Sequence, residues 1–198
     1  MALEHFYRGK NSIRAFATRV LSSLFHRKQL LLGTIAALVL LMLFRNYIKD
    51  AVVLIVLGLI AIFSTIYKRF MRVPPAVELV TFSTVMVGIS HGPVTGAIFG
   101  AVITLAAEIF NSGVDAFIIG YIPARAIVGA VSSFFPGANI VLLGLWMSIL
   151  YNLIAQPLYA LQSDAELRVK LLAFIIINIG SNFVIFTLLG AIVKGLVM

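Results

Sequence analysis

The chain has 198 residues, of which 62% are hydrophobic and only 11% charged. A soluble domain carries roughly 45–50% apolar and about 25% charged residues, so this is an integral membrane protein with no room for a separate soluble domain. The net charge is +8 and there is no cysteine, which excludes disulfides, thiolate metal sites and cysteine nucleophiles.

Residues 1–28 form a basic arm. Arg8, Lys10, Arg14, Arg19, Arg27 and Lys28 face only Glu4 there. From Asn11 to about Arg27 the apolar residues Ile13, Phe16, Val20 and Leu24 share one helical face. Such a helix lies on a membrane surface, drawn to anionic headgroups rather than to nucleic acid. The stretch reads as an arm and not as a cleaved signal peptide, because no small-residue cleavage site follows its first apolar run.

Residues 29–75 read as a two-span leader and linker. Span A covers roughly Gln29–Phe44 and span B roughly Ala51–Ile66. Arg45–Asp50 reads as a turn between them, and Pro74-Pro75 as an extended stop, since proline neither donates to a helix nor lets its predecessor stay helical. Span B can equally belong to the bundle that follows.

Residues 76–198 read as that bundle. Span C runs roughly Ala76–Ser90 and span D roughly Val94–Phe110, joined by a tight turn at Ser90-His91-Gly92-Pro93. Gly92, Gly96, Gly100, Thr104 and Glu108 recur at four-residue steps, so they form one stripe. Its glycines predict close approach of a neighbouring helix. After the turn Asn111–Asp115 comes span E, roughly Ala116–Phe135, interrupted by Pro123. Pro136–Asn139 is a second turn, span F covers roughly Ile140–Leu161, Gln162–Lys170 is a polar loop, and span G covers roughly Leu171–Val193. The fold class is therefore all-α: a six-helix membrane core, one additional N-terminal span and the amphipathic arm. Lysine and arginine gather in the arm, the B–C loop and the F–G loop, which places the N-terminus in the cytoplasm.

Polar residues at membrane depth mark the candidate site. Arg125 lies near the middle of span E, where a charge costs about 2.5–3.5 kcal/mol on insertion scales, so it must face the bundle and find a partner. Glu108 is the leading candidate, because a short turn makes spans D and E neighbours. Asn152 and Gln156 are four residues apart, as are Asn178 and Asn182. These amides either hold helices together or, with Arg125, Tyr121 and Tyr151, line a polar cavity between spans E, F and G. Trp146 is placed to stack on a flat ligand or simply to pack. His91 stands without a second ligand at metal spacing. There is no GxSxG, phosphate loop or HExxH, so the chain is read as no enzyme, with no cofactor and no metal site.

The segment Glu78-Leu79-Val80, an apolar helix, and then Gly88-Ile89-Ser90-His91-Gly92-Pro93-Val94-Thr95-Gly96-Ala97-Ile98-Phe99-Gly100-Ala101 resembles the second and third helices of S components. These are the substrate-binding subunits of energy-coupling-factor vitamin transporters. The bacterial rod-shape membrane subunit MreD is similar at this level. The S-component resemblance extends from span B to residue 198. It implies six helices and capture of a vitamin, its precursor or a metal ion. It also implies partnership with a transmembrane coupling protein driven by two ATPases, and a pocket among spans E, F and G. A structural or scaffolding subunit of an envelope or morphogenesis complex is the alternative.

Overall fold

The computed structural model describes residues 33–35, 39–40, 42–70, 77–111, 118–161 and 165–198. The basic arm, most of span A, the Pro74-Pro75 linker and the Ser112–Asp115 part of the D–E turn lie outside the described residues. The described residues are mostly helical, with no strand among them. The chain divides into two compact units between Lys49 and Asp50. In the first, the described backbone is helical apart from a turn at Phe44, whose carbonyl accepts from Ile48 N at 2.9 Å.

The helices are α1 (Arg45–Ser64), α2 (Val80–Phe110), α3 (Ile118–Ser132), α4 (Ile140–Leu161) and α5 (Ala165–Val197), with a 3-10 turn at Ile66–Arg69. Four of them are long and apolar enough to cross a membrane, and α3 is a shorter apolar helix. Two expected loops are helical instead. Arg45–Asp50 opens α1, since it holds neither proline nor glycine to stop a helix. Ala165–Lys170 opens α5, because Ala-Glu-Leu-Arg-Val-Lys is mostly strong helix former.

The expected turn between spans C and D falls at Gly92. Its φ of 86° and ψ of 177° lie in a region open essentially to glycine alone. Pro93 then opens the second arm, at a position where its missing N–H costs nothing. The two arms, residues 80–91 and 93–110, fold back on each other. A Cβ on Gly96 would lie 2.7 Å from Gly88 Cα, and one on Gly100 would lie 2.8 Å from Thr84 Cγ2. Each pair is equidistant from Gly92, so the hairpin is antiparallel and in register. The arms are about 18 and 27 Å long at 1.5 Å per residue.

All ten residues from Val80 to Ile89 are buried. A helix buried on every side is a central post. The second arm packs on one side and α3 on another, where a Cβ on Gly88 would meet Gly129 O and Ser132 Oγ. From α5, Phe186 meets Phe82 with ring centroids 5.0 Å apart. Leu57 of α1 joins the same core, Ala61 is buried, and a Cβ on Gly58 would lie 3.0 Å from Ile103 Cδ1.

Side chains tie the ends. Leu79 N donates to Ser64 Oγ at 2.9 Å, and Asn111 Nδ2 donates to Thr65 Oγ1 at 2.6 Å. At the other end Asn139 caps α4, accepting from Val141 N and Leu142 N at 3.0 and 3.2 Å. Lys194 Nζ donates to Ala138 O at 3.2 Å, which fastens the end of α5 to the α3–α4 turn.

Candidate functional site

Arg125 is 1% exposed, and among the described residues it and Glu78 are the buried charges. Its terminal nitrogens donate to Glu78 Oε1 and Thr81 Oγ1. The guanidinium carbon also lies 3.7 Å from the centre of the Tyr151 ring, a cation–π contact from α4. The carboxylate that meets Arg125 is thus Glu78, where the sequence pointed to Glu108. Chain direction supplies the reason. Gly88 faces Gly129, and Thr84 and the Arg125 carbonyl both press on Gly100. The first arm and α3 therefore run parallel, with Thr84 near the level of Arg125. Helical side chains lean toward their own N-terminus. Arg125 leans past Thr81 to Glu78, at the start of the same neighbouring helix. Glu108 lies at the end of the antiparallel arm, eight residues or about 12 Å beyond the level of Arg125, and is half-buried.

Tyr121 is half-buried one turn before Arg125, with its ring centroid 6.5 Å from that of Tyr151. The residue after Tyr151 starts the amide ladder. Asn152 Nδ2 donates to Asn178 Oδ1 at 2.9 Å, joining α4 to α5, and to Ser148 O at 2.8 Å. Gln156 Nε2 donates to Asn152 Oδ1 at 3.3 Å, and Asn182 Nδ2 to Asn178 O at 2.9 Å. All four amides are buried. Two of their oxygens, Gln156 Oε1 and Asn182 Oδ1, have no hydrogen-bond partner, and neither does Arg125 Nε.

Beside this ladder runs a groove of about 480 Å³ between α4 and α5. Its wall is aliphatic, and its polar groups are Asn152 and Gln156. It opens on the outer face, since Leu153 and Leu172 on its rim are largely exposed.

Trp146 is 63% exposed, on the outer face of α4. Six residues separate it from Asn152, or about 240° of helical rotation, so the two cannot share a face. Gly96 and Gly100 are buried in the contact with the first arm and α3, whereas Gly92 sits at the hairpin tip. There His91 Nδ1 lies 2.7 Å from Ser90 Oγ, and His91 Nε2 lies 3.6 Å from Asp50 Oδ1. Ser90 Oγ also donates to Met86 O at 2.7 Å, so its proton is directed to backbone. Among the described residues no group of three acidic, histidine or cysteine side chains is placed to hold a metal ion.

Sequence reasoning missed Glu78 as a site residue. The available signal was its position at the start of an arm whose direction matches that of α3, combined with the backward lean of an arginine. No protein-family model, no curated protein and no solved structure matches this chain.

Proposed function

We propose that the chain is a membrane-embedded capture subunit of a small-molecule uptake system, with no chemistry of its own. One observation carries this reading. The buried amide ladder between α4 and α5 lies beside a groove of about 480 Å³, and two of its side chains, Asn152 and Gln156, line that groove. A concave apolar site with a few polar side chains in its wall is what a small-molecule pocket needs. The groove volume falls in the range of about 300–1,000 Å³ typical of small-molecule sites.

In this reading Arg125 holds the frame rather than the ligand, because Glu78, Thr81 and Tyr151 already occupy it. The ligand is vitamin-like rather than a metal ion, because among the described residues the groove offers amides and no carboxylate. The subunit resides in the cell membrane with its N-terminus cytoplasmic and its arm on anionic lipid. It consists of a six-helix core after one added span, and it hands its cargo to a transmembrane coupling protein and its ATPases.

A second reading has its own support. The closed Arg125–Glu78 pair and the glycine contacts of α2 with α3 are packing devices. They suit a scaffolding subunit of an envelope or morphogenesis complex. Mass spectrometry of the intact purified protein separates the two. Capture predicts a co-purifying small molecule that is lost in the Asn152→Leu, Asn178→Leu double variant. Scaffolding predicts no small molecule and a stable assembly with envelope proteins.

A further inference from the structure

At the hairpin tip, counting hydrogens decides the state of a histidine. Ser90 Oγ lies 2.7 Å from Met86 O and 2.7 Å from His91 Nδ1. Each separation is that of a hydrogen bond and needs a hydrogen between its two atoms. A backbone carbonyl cannot donate, so the single hydroxyl hydrogen goes to Met86 O, and Nδ1 supplies its own. The opposite ring nitrogen, Nε2, lies 3.6 Å from Asp50 Oδ1 and has no hydrogen-bond partner. With Nδ1 protonated, a neutral ring turns the Nε2 lone pair toward a carboxylate, acceptor against acceptor. A second proton on the ring turns the same contact into an ion pair.

This contact joins α1 to the hairpin tip. At its far end α1 is tied by neutral hydrogen bonds, from Leu79 N to Ser64 Oγ and from Asn111 Nδ2 to Thr65 Oγ1, which no proton controls. Between the two ends runs a groove of about 280 Å³, lined by Leu54, Phe99, Ile103 and Thr95 among others. Leu54 is one turn after Asp50, and Thr95 one turn after His91, so the contact sits at the mouth of the groove. We propose that His91 and Asp50 form a proton-controlled latch. The protonated ring holds the Asp50 end of α1 against the hairpin. Loss of that proton as the pH rises frees it, and α1 swings about its Ser64–Thr65 anchor and widens the groove. The Nε2 atom is buried, so the proton comes and goes as the pair parts, with the Asp50 side chain, 54% exposed, leading to water. Other charges do not compete for the ring. Residues 79–90, 93–107 and 126–161 hold no charged residue and no other histidine. On α1, Arg45 and Lys49 are exposed, and Lys194 of α5 donates to Ala138 O. The latch is independent of what the protein carries.

The test uses the full-length protein in phosphatidylcholine nanodiscs. The chain has no cysteine, so Val52→Cys and Val94→Cys, at two exposed positions flanking the latch, give a unique pair of spin labels. Their separation is read by EPR at about pH 5.5 and about pH 8, the range over which histidine changes charge. The close population is expected to fall roughly threefold at the higher pH, the shift that a partly exposed ion pair can drive. His91→Gln and Asp50→Asn are each expected to remove the pH dependence and leave the wider spacing at both values. His91→Arg, a permanent cation, is expected to keep the close spacing at both. An unchanged separation in the otherwise wild-type protein overturns the latch without recourse to those variants. A pH response that survives His91→Gln or Asp50→Asn overturns it as well.

Discussion

Arg125 and Glu78 form an ion pair between α3 and the first arm of α2, two elements that run side by side in the same direction. The pair is closed off by Thr81 and by the face of Tyr151, so three helices converge on one guanidinium. It fixes the axial register of α3 against the central post, which in turn sets the height of Tyr151 and of the amides that follow it.

Removing one partner leaves the other charge buried. Arg125→Ala is expected to destabilise the bundle by about 3–5 kcal/mol. The double variant Arg125→Met, Glu78→Leu removes both charges and is expected to recover most of that loss. Thermal unfolding in detergent, followed across the two singles and the double, measures the coupling. Equal and additive losses would contradict the pair.

The glycine contacts make a steric prediction. Gly96→Ala places a methyl group 2.5 Å from Gly129 O, which is backbone and cannot step aside. α3 must then move off the hairpin, with an expected cost of about 1–3 kcal/mol, the range for overpacking. Gly137→Ala, where a Cβ meets nothing within 4 Å, serves as the matched control and is expected to be silent.

At the hairpin tip the constraint is torsional rather than steric. A Cβ on Gly92 also meets nothing within 4 Å, yet its φ of 86° is hostile to any side chain. Gly92→Ala is expected to cost about 1–3 kcal/mol from backbone strain alone. Comparison with Gly137→Ala isolates that contribution.

The amide bridge between α4 and α5 is weaker. A double-mutant cycle on Asn152 and Asn178, each changed to Leu, is expected to give a coupling near 0.6 kcal/mol, typical of interhelical polar contacts in membranes.

Trp146→Leu provides the complementary case. The ring is on the outer face, so folding is expected to be unchanged, with stability in thermal unfolding shifting by less than about 0.5 kcal/mol. A larger loss would place a packing contact where the structure puts none.

Much of the fold was legible because membrane helices announce themselves by length and apolarity, and because Gly92-Pro93 leaves few conformations open. The limits of α4 coincide with those read for span F, since Asn139 before it is a strong cap signal. The loops at Arg45–Asp50 and Ala165–Lys170 misled because polar character was read as a break. Polar residues extend a helix readily once it leaves hydrocarbon. In the site, four-residue spacing correctly grouped the amides along single faces, but spacing alone does not say which face meets which helix. The choice of Glu108 over Glu78 assumed that neighbours in sequence are partners in space. The direction of each helix, and the lean of side chains along it, decided otherwise.

The separation of 47 positions between Glu78 and Arg125 also bears on how the protein is made. Until α3 emerges, Glu78 lacks the cation it meets in the finished fold, so the post completes its packing only when α3 arrives. Final assembly is therefore late, and a ribosome stalled before Arg125 would leave that carboxylate without its ion pair.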